Sequence, residues 1–438
     1  MLLNITGQFA TLIVGFVPSV LVARWLGPGD RGLLAIVGTA SFVAFVLASI
    51  GLPAAVLYFS SEKDPETGAL LGNSALYALA LTAAFLIPAW VFRGQLADLL
   101  SHGRGEGAWV VSALVIPATF LDWTLHNQLL GRLRFGYYNA LIVGSKVLYL
   151  VLVVVLLRVV DLGVSGVLVA TIAGSVLVIA GSLRAIAPGS TPRVDLDLFR
   201  KMFAYGRKSQ IGSIFQFMNA RFDVLILQFF VPLASVGYYV VAQFLAELVL
   251  LLTRSFQSSV TSLVARDSDD PESQSVTTVT SLRHHGLLSA AGIALNACLA
   301  PLLIVFAYGH AYDRAILPFF IILPGIWFLG AGLLVGNDLS GRNRPALAST
   351  LSGVAVAVTV ILDLVLIPPF GVVGAAVASL VAYIAFGVAS FRTESRIADI
   401  PWYRLLPTRA DAAAYPRLAR RLAGRLASGS STTPDLGG

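Results

Sequence analysis

Apolar runs of about 20 residues recur along almost the whole chain, each parted from the next by a short polar break. In hydrocarbon a backbone must satisfy its own N–H and C=O groups, which leaves only helices or a closed barrel. The runs are too long for barrel strands, and none alternates with period two. They predict twelve transmembrane helices, at about 3–23, 33–59, 70–92, 107–130, 139–158, 163–187, 206–231, 234–265, 285–308, 314–337, 345–368 and 371–391. Only 12% of the 438 residues are charged, against about 25% in a soluble domain, so no large soluble domain is expected. The first run lacks the basic start of a cleavable leader and is read as a retained helix. The one cysteine, Cys298, cannot form an internal disulfide and is read as a small buried apolar side chain.

The charges set an orientation. With the N-terminus in the cytoplasm, 21 of the 30 Lys and Arg fall on cytoplasmic segments, six on outer loops and three within spans. That bias places both termini in the cytoplasm and supports an even number of spans. The net charge of +7 therefore belongs to topology and lipid contact, and no nucleic-acid partner is expected. In the tail, Leu418, Leu422 and Leu426 are spaced by four among arginines, which suits a short helix on an anionic leaflet. Ser428 to Gly438 is small and polar and is expected to be disordered.

The chain matches itself at an offset of about 204 to 210. The corner Arg24-Trp-Leu-Gly-Pro-Gly-Asp-Arg-Gly answers to Gln228-Phe-Phe-Val-Pro-Leu-Ala-Ser-Val-Gly. Gly131-Arg-Leu-Arg answers to Gly341-Arg-Asn-Arg, and Gly163-Val-Ser-Gly to Gly371-Val-Val-Gly. Three matches in one order imply duplication. An even number of spans per half makes the repeats parallel, with a site expected at their interface and alternating access by rocking. The expected organisation is a six-helix lobe at 1–187, a cytoplasmic interfacial linker at 188–205, a second six-helix lobe at 206–393 and a basic tail at 394–438. Leu196, Phe199, Met202 and Phe203 give the linker an amphipathic face expected to lie on the inner surface.

The corner Ala23-Arg-Trp-Leu-Gly-Pro-Gly-Asp-Arg-Gly-Leu resembles the "A-R-x-L-G-P-x-x-x-G" corner of bacterial polysaccharide flippases of the multidrug/oligosaccharidyl-lipid/polysaccharide exporter superfamily. Gln8, Gly15 and Asp223 look like that pattern too. The resemblance implies an all-α, V-shaped transporter of two pseudo-symmetric lobes in a bacterial cytoplasmic membrane. It implies a flippase moving an undecaprenyl-diphosphate-linked oligosaccharide to the outer leaflet for O-antigen, capsule or exopolysaccharide assembly, through a cavity that is often cationic. Contact with glycan polymerase machinery would follow. The related peptidoglycan-precursor flippases usually have fourteen spans, and no extra pair is present here.

A charge at a helix centre costs about 2.5–3.5 kcal/mol on insertion scales, so charges inside spans are candidate site residues. Arg221 is the first candidate for a diphosphate, because a guanidinium grips phosphate oxygens in parallel; the alternative is an interhelical pair with Glu247. Gln216, Asn219 and Asp223 form a separate polar stripe. Gln243, Glu247 and Arg254 share a helix face, read as lining a cavity or packing on a neighbour. Asp122 and His126, one turn apart, are read as a proton relay or as a local pair. Lys146 either holds a phosphate or snorkels, and Arg24 either faces the cavity mouth or anchors the corner. Asp363 is read as structural. Gly15 and Pro18 mark a hinge or a static kink.

The sequence has no phosphate-cradling Gly loop with Lys, so an ATP motor is not expected and no cofactor is implied. The drive would be Na+ or H+ acting at Asp223, Glu247 or Asp122, or downstream consumption of product. Two rivals stay open: an ion-coupled multidrug exporter of the same superfamily, and an integral membrane enzyme of lipid-linked glycan assembly. Arg221, Arg254 and Lys146 argue for an anionic cargo over cationic drugs. The short loops and the absence of paired carboxylates or metal-spaced ligands argue against an enzyme.

Overall fold

A computed structural model describes residues 2–63, 65–254 and 270–413, with the single positions 257, 260 and 264. The amphipathic stretch of the tail and Ser428 to Gly438 lie outside these. The run Leu2–Ser49 leaves helical angles at Gly27 (φ 75°, ψ 171°) and is therefore two helices, α1 (2–26) and α2 (28–49). Pro28 then opens α2, where its missing N–H costs nothing. After Ile50 and Gly51, both at positive φ, Leu52–Ser60 prolongs α2. Next come α3 Thr67–Val91, α4 Glu106–Gly131, α5 Phe135–Arg158 and α6 Gly163–Ile186.

The second half opens with α7 Leu196–Leu227 and α8 Leu233–Glu247, which is followed by further helical residues to 254. In α9 Pro271–Leu302 ends in a π turn, Leu303–Tyr308, and α10 is Ile316–Gly341. The run Pro345–Ile397 leaves helical angles at Gly371 (φ 55°) and is thus α11 (345–370) and α12 (372–397). Helices stand at all twelve expected places; eight stretches of the described residues are long and apolar enough to cross a membrane, and the expected eighth span, 234–265, is followed without a break only to 254.

The repeat is written into the backbone. The third residues of the two Gly-Arg-x-Arg motifs, Leu133 and Asn343, are both left-handed, at φ 56° and 58°. Gly163 and Gly371, which open the last helix of each half, sit at φ 54° and 55°. The packing repeats as well. α4 lies against α3 and α6, and α10 lies against α9 and the α11–α12 run.

The halves meet where the two corners cross. A Cβ placed on Gly32 would strike the Leu233 carbonyl, and one placed on Gly237 would strike the Pro28 carbonyl. Neither glycine has a positive φ, so space and not conformation excludes a side chain. Around this crossing one apolar core draws on both halves, from Val22, Ile36 and Val167 to Val236, Tyr312 and Phe319. At the opposite end, which carries the linker, the cores are separate. One gathers Phe45, Leu70 and Phe120 of the first half, and another gathers Leu282, Leu334 and Phe391 of the second.

Two expectations change. The linker does not lie on a surface as a separate amphipathic element. Residues 196–205 are the first turns of α7, and Leu198 and Met202 are buried in the core of the first half. Only Leu196 and Phe203 of the expected face reach outward. The Asp195 side chain accepts from Leu198 N at 2.9 Å and caps the helix. Asn73 of α3 holds the Asp195 backbone through bonds of 2.8 and 3.0 Å. α7 thus begins on one lobe and ends in the other. Cys298, expected to be buried, is exposed on α9. On a lipid-facing span a thiol carries little solvation cost, so the site does not demand burial.

The crossing predicts a contrast between glycines. Gly32→Val or Gly237→Val forces side-chain atoms into opposing backbone and should lower the melting temperature in detergent sharply, overpacking costing about 1–3 kcal/mol or more. Gly38→Ala, where an added Cβ meets nothing within 4 Å, should leave the melt unchanged.

Candidate functional site

The polar groups inside the second lobe gather where α7, α8, α11 and α12 face one another. Arg221 of α7 grips Glu247 of α8 with two parallel bonds, at 3.0 and 2.8 Å. This fork-to-fork geometry is the strongest an arginine makes with a carboxylate. Of the two readings of Arg221, the interhelical pair is the one formed in this conformation. The pair is not sealed: the side chains keep 34% and 21% exposure.

Two residues on, the Asp223 carboxylate points to another side of α7 and is buried. It accepts from Val224 N at 2.7 Å and from Gln243 Nε2 at 3.2 Å. It also accepts from the Tyr239 hydroxyl, whose oxygen lies 3.0 Å from Ser379 Oγ on α12. Gln243 and Glu247, one turn apart, thus both serve α7. The stripe does not continue to Arg254. Between 245 and 252 the helix tightens into i to i+3 bonds, such as Leu248 N to Leu245 O at 3.3 Å and Leu252 N to Val249 O at 3.1 Å. A 3₁₀ stretch turns faster per residue, so the face drifts, and Arg254 reaches the surface. The side chains of Gln8, Gln216 and Asn219 lie outside those described.

Asp363 was read from the sequence as structural, yet it belongs to this cluster. It is fully buried on α11, within electrostatic reach of Asp223, and neither of its oxygens accepts a hydrogen bond from a described residue. Buried carboxylates normally find donors; this one accepts from none of the described residues. Tyr239, Ser379 and Tyr383 were also unread, because a lone hydroxyl in an apolar run gives no periodic signal.

A second cluster closes the linker end of the same lobe. Arg342 binds Asp338 at 2.8 Å and Glu394 of α12 at 3.1 Å, and Thr278 of α9 donates to Asp338 at 2.5 Å. The sequence reading places Arg342 on a loop and does not single out Glu394. Here they tie three helices together.

The first lobe holds a sparser set. Asp122 and His126 lie 3.8 Å apart with 19% and 13% side-chain exposure, as the local pair reading expects. Asp122 is also within reach of Ser175 of α6 and Lys146 of α5, and the His126 ring stacks on Tyr138 with centroids 3.9 Å apart. Lys146 and Arg24 are exposed. Gly15 and Pro18 lie within helical α1; the dihedral break comes at Gly27 instead. A Cβ added at Gly15 would meet nothing within 4 Å.

Comparison with known proteins follows this geometry. Residues 21–317 match the family described as "Polysaccharide biosynthesis protein". The "Probable low-salt glycan biosynthesis flippase Agl15" of Haloferax volcanii is 24% identical over 369 residues, covering 82% of this chain and 75% of the relative. Among solved structures, a multidrug resistance MATE family transporter of the MOP superfamily in its inward-facing conformation aligns with a TM-score of 0.74 at 13% identity, over 87% of this chain and 94% of that one. The lipid II flippase MurJ, in an inward closed conformation, aligns with a TM-score of 0.70 at 17% identity, over 92% and 89%. The fold is theirs: twelve helices in a V of two lobes.

The Arg221–Glu247 pair predicts strong coupling. Arg221→Ala or Glu247→Ala alone should destabilise the protein, by less than the ~3–5 kcal/mol of a fully buried pair. The double variant should recover part of the loss, with an interaction energy of about 0.5–3 kcal/mol. A thermal double-mutant cycle in detergent measures it; simple additivity would mean the pair contributes nothing.

Proposed function

The chain belongs to the polysaccharide biosynthesis protein family, and from that we propose that it is a flippase for a lipid-linked glycan. The cargo is an undecaprenyl-diphosphate-linked oligosaccharide, carried from the cytoplasmic to the outer leaflet of a bacterial cytoplasmic membrane by alternating access. Both chain termini lie in the cytoplasm, so the glycine crossing is the outer end. This reading predicts transport without catalysis.

The observation that carries the proposal is the uneven closure of the lobes. They share one apolar core at the crossing and keep separate cores at the linker end. In the proposed orientation the cargo enters between the lobes from the inner side. The family match and the glycan flippase among its relatives support a glycan cargo. Arg24, Lys146 and Arg254 remain the candidates for contact with it, each being exposed.

Coupling to H+ or Na+ is assigned to Asp223 with Asp363, and secondarily to Glu247 and to the Asp122–His126 pair. An acid with three donors beside one that accepts from no described residue is an arrangement that a single added positive charge completes. Tyr239 and Ser379 then link the occupied site to α12, so that loading bears on how α7, α8 and α12 pack. This is the kind of differential contact that lets an ion bias two states.

Reconstitution tests the reading. In vesicles carrying an undecaprenyl-diphosphate-linked oligosaccharide, the protein should make the sugar accessible on the far leaflet, faster under an H+ or Na+ gradient. Asp363→Asn and Asp223→Asn should remove the gradient's effect. Lack of protein-dependent accessibility under any gradient rejects flipping.

A further inference from the structure

The Gly-Arg-x-Arg motif recurs in both halves, yet its first arginine has different neighbours in each. Arg132 of the first half donates to Thr67 Oγ1 at the start of α3. Arg342 repeats that bond, donating to Ser275 Oγ at 3.3 Å near the start of α9. One turn before Arg132 stands the neutral Gln128, whereas one turn before Arg342 stands Asp338. Glu394 of α12 also meets Arg342. Counted from Gly163 and Gly371, its counterpart in the first half is Ile186. The hydroxyl bond thus joins helices in both halves, and the two acids belong to the second half alone. Tying helices at this corner does not require them.

The three charged groups form one buried cluster. The guanidinium turns Nε to Asp338, 2.9 Å from Oδ1 and 2.8 Å from Oδ2, and Nη2 to Glu394 Oε1 at 3.1 Å. Thr278 of α9 donates to Asp338 Oδ1 at 2.5 Å. The Arg342 side chain is 6% exposed and both carboxylates are at 0%. Nε and Nη2 share one edge of the guanidinium, so the carboxylates on them are neighbours, within hydrogen-bond reach of each other. Glu394 Oε2 is nonetheless buried without a partner among the described residues. The charged groups of the surrounding elements turn elsewhere. Arg344, Arg392 and Arg396 are exposed, as are Arg207 and Lys208 of α7. Arg221 is paired with Glu247, and Arg283 of α9 donates to the Arg404 carbonyl at 2.8 and 2.7 Å. His285 of α9 meets Ser289 Oγ at 3.0 Å. Two carboxylates on one guanidinium leave one negative charge over, and two acids sharing a buried site do not both ionise readily. A metal ion there would be repelled by the guanidinium. A proton is not so placed, since it turns one acceptor into a donor to the other.

We propose that Asp338 and Glu394 form a binding site for one proton, held between the two carboxylates at the linker end of the second lobe. The site is separate from the Asp223–Asp363 pair and does not rest on the flippase reading. The proton belongs on Glu394, whose Oε2 then has a hydrogen to donate, while Asp338 keeps its charge for Arg342 and Thr278. With the proton bound the cluster is neutral, and one network joins α9, α10 and α12. Its loss puts a second negative charge beside the first inside the packing. The stability it contributes is therefore present at low pH and is lost as pH rises through the titration of the pair. The helix junction responds to pH at the end of the molecule where the lobes keep separate cores.

The test uses the full chain in detergent, stepped from mildly acidic to alkaline buffer. Infrared difference spectra of the wild type should show loss of a protonated-carboxyl carbonyl band, and its melting temperature should fall by a few degrees over the same step. Glu394→Gln keeps a donor at this place without the titration. It should lack that band and hold its melting temperature across the step. The double variant Asp223→Asn with Asp363→Asn should keep both responses, which separates this site from that pair. Should Glu394→Gln not fold, Asp338→Asn carries the test: the one remaining acid, paired with Arg342, stays ionised throughout, so band and melting shift should again be lost. A wild type with no response to the step overturns the site. So does a variant that keeps the band, or one whose melting temperature is lowered equally at every pH, the sign of a merely structural role.

Discussion

At Gly32 and Gly237 two helices from opposite halves approach until backbone touches backbone, and the rest of the arrangement is organised about that contact. Any side chain there would hold the corners apart. With hydrogen alone on both α-carbons, the shared core from Ile36 to Phe319 can form. The same crossing fixes the pseudo-symmetry, since each corner meets its own repeat. The linker end has its own close approach, Gly51 against Gly206, but this joins α2 to the first turns of α7, which themselves pack on the first lobe. It tethers the lobes without sealing the seam.

Two arginines of the second lobe are met by a carboxylate on a neighbouring helix. Arg221 holds α7 to α8, and Arg342 holds α10 to α12. Such pairs are weak sources of net stability, yet each fixes which helix neighbours which. Asp223 and Asp363 differ from these, being two buried acids within electrostatic reach of each other.

Much of this was legible in the sequence. The lipid constraint leaves little choice but helices, so apolar run length placed the spans. The repeat was readable because turn residues such as Gly163 and Gly371 need the same left-handed backbone in both halves. The sequence could not show that residues 196–205 continue α7, because an amphipathic face suits a leaflet surface and a neighbouring helix equally. Side-chain partners were harder still. Arg221 and Glu247 were seen, but only the packing of α7 on α8 chooses between a pair and a free cation. Arg254 was misplaced because a local tightening of α8 changes the angle per residue, and no residue there announces it. Asp363 was read as structural because it sits near a helix end, where a charge ordinarily meets water.

The central claim is that the lobes, closed on each other at the crossing, must part there for the cargo to leave. Gly29 and Ala234 line the same hollow beside that contact. In a Cys298→Ser background, which removes the only native thiol, cysteines placed at 29 and 234 can be joined by a short reducible bismaleimide-type linker. Glycan movement in reconstituted vesicles should stop when the link forms and return when it is cleaved. Full transport by the linked protein would contradict the account, because the seam would then be shown to work without opening at its closed end.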